Sequence, residues 1–136
     1  MMKVHFYLWG GTILDQIRIV GDIWSGKFQP TLTGNRIVDT ALLNQFKTRL
    51  MDWLSTNRIE VEVNIDHHFS MQHTDTNPTL YLIDSQIIAD VGDHTLQPIN
   101  YLPIKHQSLL HANPAELFQA SSITSKLHNK NNLKKT

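Results

Sequence analysis

The feature that most constrains the fold is a strict alternation of side chains over residues 59–69. The odd positions carry apolar side chains and one histidine: Ile59, Val61, Val63, Ile65, His67 and Phe69. The even positions carry polar or charged side chains: Glu60, Glu62, Asn64, Asp66 and His68. Because successive side chains of a strand point to opposite faces, this alternation predicts a half-buried β-strand with its odd positions in the core and its even positions in solvent.

A long helix is predicted just before this strand, from Asp39 or Thr40 to about Thr56. Its apolar side chains recur at spacings of three and four residues, which places them on one helical face. They are Leu42, Leu43, Phe46, Leu50, Trp53 and Leu54. Asp and Thr are residue types that accept hydrogen bonds from the unpaired N–H groups of a first helical turn, and Asn57 suits the left-handed conformation that ends many helices.

Shorter elements are predicted on either side of this pair. Alternation over residues 4–8 and 13–20 indicates two strands, and the aromatic residues Trp24 and Phe28 indicate a third. Residues 99–102 lie between two prolines, which confines them to an edge strand or an extended loop.

A hairpin is predicted in the second half of the chain. Residues 79–84 and 86–91 are two largely apolar runs on either side of the dipeptide Asp84-Ser85. Short apolar runs that flank a turn-forming dipeptide are typical of two antiparallel strands. The sequence therefore predicts that the chain reverses direction at Asp84.

The predicted fold is α+β, a mostly antiparallel sheet with one long central helix and a shorter C-terminal helix on one face. The C-terminal helix is expected to begin at Asn113, because Pro114 and Glu116 follow it in a capping-box pattern. Helices do not alternate regularly with the predicted strands, which disfavours a parallel sheet. The chain has 136 residues, the usual size of one domain. Residues 1–127 are therefore expected to form a single α+β domain, and residues 128–136 a polar, lysine-rich tail.

Composition excludes several classes of protein. The chain has no cysteine, which rules out a disulfide framework, a thiolate metal site and a cysteine nucleophile. No stretch approaches the roughly 20 apolar residues of a membrane-spanning helix, and the first residues lack the features of a secretion signal. We therefore expect a cytoplasmic protein without membrane contact. The formal net charge is zero, which argues against direct binding to nucleic acid.

The zero net charge conceals a segregation of charge along the chain. Residues 59–93 contain seven acidic residues and neither Lys nor Arg. We therefore predict a small binding or inhibitor protein that docks a basic protein surface through an acidic sheet surface, in the manner of an immunity protein or an antagonist of a nuclease or nucleic-acid-binding complex. The predicted partner-binding residues are Glu60, Glu62, Asp66, His68, Asp75, Asp84, Asp90 and Asp93.

Two other functions stay open on the sequence, and so does the oligomeric state. The first is a divalent-metal-dependent hydrolase or nuclease, since imidazole and carboxylate side chains are suitable ligands. The candidate ligands are His68, His73, Asp66 and Asp75. Their spacing matches no standard signature, so the sequence predicts no metal and no cofactor. The second is a structural subunit of a larger assembly, which would use exposed aromatic side chains. The aromatic residues concerned are Trp9, Trp24 and Tyr101.

The sequence motifs of nucleotide and serine chemistry are incomplete. Residues 21–27 (GDIWSGK) match the first seven positions of a phosphate-binding P-loop, but Phe28 stands where Ser or Thr would hold magnesium. Pro30 also prevents a helix from following directly, so we interpret this segment as a turn between strands. No Gly-x-Ser-x-Gly elbow is present. Catalytic Ser/His/Asp groups are recognised by geometry, which residues scattered along a sequence do not define.

Overall fold

Strands and helices alternate along most of the chain. The strands are β1 (Phe6–Leu8), β2 (Gln16–Val20), β3 (Glu62–Ile65), β4 (Thr79–Asp84), β5 (Asn100–Ile104) and β6 (Leu127–Asn129). The helices are α1 (Arg36–Thr56), α2 (Ser85–Val91), α3 (Asp93–Leu96) and α4 (His106–Leu110), with 3₁₀ turns at Met71–His73 and Ala115–Phe118. The computed structural model describes residues 6–8, 14–74, 78–118 and 127–129.

Four of the strands form one parallel sheet in the order β3-β2-β4-β5. In its register, Ile17 lies beside Val63 on one side and beside Leu80 on the other. β1 and β6 form a separate antiparallel pair. The prediction of a mostly antiparallel sheet is therefore wrong, because every pairing within the four-stranded sheet is parallel.

The error comes from the segment after β4, where the sequence indicates a hairpin and the structure has α2. The Asp84 carboxylate accepts a hydrogen bond from the N–H of Gln86 at 2.8 Å and so caps the first turn of this helix. Ile87 and Ile88 of α2 are buried. Because α2 and α3 carry the chain back along the sheet, β5 runs in the same direction as β4 and pairs with it in parallel.

Helices cover both faces of this sheet, not one face as predicted. On one face, α1 and α4 pack against Leu80 and Leu82 of β4. On the other face, α2 and α3 pack against Tyr81 and Ile83 of the same strand. All six residues of β4 are buried, as expected of a central strand that is covered on both sides.

α1 buries the predicted face but begins earlier than predicted. Its buried apolar residues are Leu43, Phe46, Leu50 and Leu54. The helix begins at Arg36, because the side chain of Asn35 accepts hydrogen bonds from N–H groups of its first turn. Asp39, which is 1% exposed, accepts hydrogen bonds from the backbone N–H groups of Leu32 and Thr33 and so anchors the loop that precedes the helix.

Other predicted elements are confirmed only in part. β3 is shorter than the predicted strand, because the chain turns at His67 and His68. The segment from Gly21 to Asn35, where the sequence indicates a third strand, contains no regular strand. The left-handed residue that follows α1 is Arg58, with φ of 58°, while Asn57 has φ of −91°.

The C-terminal part of the chain also differs from the prediction. The segment that begins at Asn113 forms a 3₁₀ turn at Ala115–Phe118, and residues 119–126 lie outside the described residues. β6 includes the first two residues of the predicted tail, and residues 130–136 lie outside the described part of the chain. None of the helices in the described ranges is long and apolar enough to span a membrane.

Candidate functional site

The strand order places a topological switch point between β2 and β4. From β2 the chain crosses through α1 to β3 on one side, whereas from β4 it crosses through α2 and α3 to β5 on the other side. In open parallel sheets, ligands bind in the crevice outside the carboxyl ends of the strands at such a point. Polar side chains at or just beyond these carboxyl ends include Asp22, His67, His68, Asp84 and His106.

Asp22, Trp24 and His67 form a tightly bonded group, which we call the Asp22 cluster. The Asp22 carboxylate is 1% exposed. Its Oδ1 accepts a hydrogen bond from Nδ1 of His67 at 2.6 Å, and its Oδ2 accepts one from Nε1 of Trp24 at 2.9 Å. The rings of Trp24 and His67 stack with centroids 3.7 Å apart and planes 10° apart. Both carboxylate oxygens are thus paired, as a buried carboxylate requires.

The Asp22 cluster joins the loop after β2 to the loop after β3. The backbone N–H of Trp24 also donates to the carbonyl oxygen of His67 at 2.7 Å. Ser25 follows Trp24 and His68 follows His67, so these two residues are also brought close together. Oγ of Ser25 and Nδ1 of His68 lie 3.1 Å apart, within hydrogen-bonding distance. The backbone N–H of His68 donates to the carboxylate of Asp66 at 2.9 Å, which holds the turn after β3.

A groove lies beyond this contact, which we call the carboxyl-edge groove. Its volume is about 670 Å³. The polar side chains that line it are Ser25, Lys27, His68, Ser70, Gln72 and His73. The apolar side chains that line it are Ile23, Phe28, Phe69, Met71 and Val91. Among the described residues that line the groove, none is acidic, so its charged or protonatable groups are all of the cationic type.

The outer side of the Asp22 cluster is covered by the start of α1. The guanidinium carbon of Arg36 lies 4.7 Å from the centre of the Trp24 ring, within the range of a cation–π contact. Trp24 is half-buried. The contact therefore also holds the loop after β2, in addition to the hydrogen bonds that Trp24 makes to Asp22 and His67.

A second Asp–His pair lies at the ends of β4 and β5. Oδ2 of Asp84 accepts a hydrogen bond from Nδ1 of His106 at 2.6 Å, while Oδ1 caps α2. Asp84 is 2% exposed and the His106 side chain 18% exposed. This pair ties the first residue of α4 to the end of β4. It therefore secures the connection that carries the chain from β5 into α4.

The described members of the predicted partner-binding set are distributed over several elements of the fold. Glu60 and Glu62 are exposed at the edge strand β3. Asp90 and Asp93 are exposed on α2 and α3, the helices that pack against Tyr81 and Ile83 of β4. Asp84 is buried in its pair with His106, so it is not available to a partner. Asp66 is half-buried with an ion pair to Arg18, and His68 lines the groove. Asp75 lies outside the described residues.

The predicted metal ligands are brought together only in part. His68 and His73 line the same groove. Asp66 instead accepts the N–H of His68 and faces Arg18 at 3.8 Å. Within the described ranges, no three His, Cys, Asp or Glu side chains are placed to hold a metal ion together, and Asp75 is not among the residues described.

Sequence reasoning missed Asp22 and Ser25, and it assigned His67 to the apolar core side of a strand. The only sequence signal for Asp22 was its position, two residues after a buried strand. Lys27, from the P-loop-like segment, does line the groove, but the next helix begins only at Arg36, so the segment is not a P-loop. Comparison with protein-family models, with curated proteins and with solved structures found no match for this chain.

Proposed function

We propose that this protein binds a small anionic molecule in the carboxyl-edge groove. The observation that carries the proposal is the set of Lys27, His68 and His73 on one groove, with no acidic side chain among its described lining residues. Lysine is positively charged at neutral pH and histidine becomes so when protonated. An anionic group in this groove gains Coulomb energy and hydrogen bonds from these side chains.

The shape and position of the groove support the same proposal. A volume of about 670 Å³ lies within the usual range of small-molecule sites, about 300–1,000 Å³. Phe28, Phe69 and Met71 line it together with the cationic side chains. The ligand therefore combines a negative charge with an apolar part, and it binds at the carboxyl edge of the sheet, where ligands of open parallel sheets bind.

A binding titration tests this proposal. We expect benzoate and inorganic phosphate to shift amide signals of residues 23–28 and 68–73 in an NMR titration, while benzylamine, a cation of similar size, does not. Lys27→Ala is expected to weaken benzoate binding by about 10-fold or more, because a hydrogen bond to a charged group contributes about 1.5–3 kcal/mol.

Lys105→Ala is the matched control, because Lys105 is exposed and lines a different, smaller cavity. Its affinity for benzoate should equal that of the unmodified protein. The proposal is wrong if benzylamine binds as tightly as benzoate, or if benzoate shifts only signals outside the groove.

We propose as a second function the docking of a basic partner at the β3 edge of the sheet. The observation that favours it is the exposure of Glu60 and Glu62 beside an edge strand, in a segment without Lys or Arg. Complementary charge accelerates association with a cationic surface and makes the rate sensitive to salt. Asp84 is not part of this proposed surface.

The docking proposal predicts that the Glu60→Gln, Glu62→Gln double variant captures the partner more weakly without losing thermal stability, because exposed charges contribute little to folding. Association of the unmodified protein should slow as the ionic strength rises past about 0.15 M, where the screening length is about 8 Å. Asp52→Asn, at an exposed acidic residue of α1, is the control. Capture that survives the double change, measured by surface plasmon resonance on the partner recovered by pull-down, contradicts the proposal.

A further inference from the structure

We infer that Ser25 and His68 form a nucleophile and general-base pair that hydrolyses carboxylic esters in the carboxyl-edge groove. The inference rests on the proposed anion-binding function, because it places the reaction in the same groove and assigns the substrate as an ester that also bears a negative charge. The distance of 3.1 Å between Oγ of Ser25 and Nδ1 of His68 is within hydrogen-bond reach for a serine and its base.

Both side chains are accessible to a substrate. Ser25 and His68 are exposed, and both line the groove. Ser25 lies in the loop that follows β2, at the carboxyl edge of the sheet. Lys27, two residues further on, lines the same groove and supplies positive charge for the anionic group of the substrate. The serine, its base and a substrate-binding cation are thus assembled on one groove.

Asp22 is a positioning residue for this pair. Its two hydrogen bonds hold Trp24 and His67, which precede Ser25 and His68 in the chain. The buried carboxylate therefore contributes to the separation between the serine and the imidazole, together with the backbone hydrogen bond from Trp24 to His67. Such preorganisation matters because a catalytic group misplaced by about 1 Å lowers the rate about 100-fold.

The chemical steps balance without any oxidant or cofactor. Neutral His68 accepts the hydroxyl proton of Ser25 at Nδ1 while Oγ bonds to the carbonyl carbon of the ester. The carbon–oxygen bond to the alcohol then breaks, and the departing alcohol takes the proton from Nδ1. A water molecule next attacks the acyl-serine and gives its proton to Nδ1. Oγ leaves with that proton, so the products are the acid, the alcohol and the original serine.

The first test is covalent labelling with an alkyl fluorophosphonate, in which Oγ bonds to phosphorus and fluoride leaves. Peptide mass spectrometry should find the label on Ser25, and Ser25→Ala should not be labelled. His68→Gln should react about 100-fold or more slowly, because a general base contributes about 10²–10⁴-fold. Ser55→Ala and His94→Ala, at exposed positions of α1 and α3, are the controls and should react at the normal rate.

The second test is hydrolysis of p-nitrophenyl esters. The monoester of a dicarboxylic acid, which is anionic, should have a higher kcat/KM than neutral p-nitrophenyl acetate, and Lys27→Ala should remove that preference. Asp22→Asn should lower kcat with KM unchanged, since it alters the pair but not the cation that binds the substrate. Trp24→Phe, which keeps an aromatic ring but lacks the Nε1 donor, should lower kcat in the same way and serves if Asp22→Asn does not fold.

Labelling of a residue other than Ser25, or an unchanged rate in His68→Gln, overturns the inference. Benzoate binding measured on the same samples separates this failure from that of the proposed function. If benzoate still binds in the groove and Ser25 is not labelled, the groove binds anions without hydrolysing esters. If benzoate does not bind either, both the inference and the proposed function are wrong.

Discussion

Asp22 is the residue on which the geometry of the carboxyl-edge groove depends. Its carboxylate is almost fully buried and accepts from two donors, Trp24 in its own loop and His67, which is 45 residues away in sequence. Losing either hydrogen bond would be costly, because a buried oxygen of the Asp22 carboxylate would then have no hydrogen-bond donor. This acidic residue and the backbone hydrogen bond from Trp24 to His67 together hold the loops after β2 and β3 against each other.

Tyr101 offers a pH-dependent test at the level of a residue. Its hydroxyl donates to Oδ1 of Asp93 at 2.9 Å, and this hydrogen bond, followed by burial and the charge of Asp93, raises the pKa of Tyr101 above its usual value of 10.0. Since the folded state holds the phenol proton more tightly than the unfolded state, this stabilising contribution is present below pH 10 and is lost as the pH rises through the folded pKa.

We expect Asp93→Asn to lower the pKa of Tyr101 towards 10.0, because the amide carries no charge. NMR titration of ¹³C-labelled tyrosine measures this directly, and the unmodified protein should lose more stability than the variant as the pH rises above 10. Asp90→Asn, at a neighbouring exposed acidic residue, is the control. An unchanged pKa in Asp93→Asn would show that the hydrogen bond is absent in solution.

At the scale of elements, α1 shows how far periodicity determines structure. The spacing of its apolar residues predicts the buried face, and four of those residues are buried as expected. Its start is set by the side chain of Asn35 rather than by Asp39, because Asp39 bonds to the loop before the helix. Both residue types cap helices, so the sequence alone did not distinguish them.

The packing of α1 predicts an order of stabilities. Phe46 is completely buried, whereas Trp53 is half-buried with its ring stacked on Phe118 at 4.5 Å between centroids. Phe46→Ala should lower the free energy of unfolding by about 3–5 kcal/mol, and Trp53→Ala should lower it by less. Urea denaturation measures both, with Thr48→Ala on the exposed face as the control. If Trp53→Ala lowered the free energy of unfolding more than Phe46→Ala does, the face of α1 that we describe as buried would be wrong.

The segment 85–91 shows why the predicted hairpin was wrong. A short apolar run is compatible with a strand or with a buried helix, and periodicity alone does not decide between them. The decision comes from Asp84, whose carboxylate caps α2 and also accepts from His106. One of these partners lies 22 residues away, beyond any local pattern.

At the scale of the whole molecule, α1 packs closely against the end of β2, where Gly21 contacts Leu43. A Cβ added at Gly21 would lie 2.5 Å from Cδ2 of Leu43, and Leu43 is completely buried. We expect Gly21→Ala to destabilise the protein by about 1–3 kcal/mol, as overpacking of a core does. Thermal unfolding of a double-mutant cycle provides the check: in a Leu43→Ala background the same change should cost less, and an equal cost in both backgrounds would contradict this packing.

Residue types and their spacing were enough to predict the local features of this protein. They predicted the apolar face of α1, strands at β2 and β4, and the absence of cysteine chemistry, because each of these depends on residue type and on periodicity over a few residues. The direction of pairing in the sheet and the contents of the groove did not follow from them. The parallel order arises because helices pack on both faces of β4.

Only the tertiary structure brought Asp22 to His67, Ser25 to His68 and Asp84 to His106, which are 45, 43 and 22 residues apart. These contacts depend on which strands are neighbours and on where each strand ends, and that arrangement results from the burial of apolar surface on both faces of the sheet. Alternation and spacing report which face of an element is buried. They do not report which other element covers that face. The candidate site therefore follows only from the arrangement of neighbouring strands, whose ends bring these residues together.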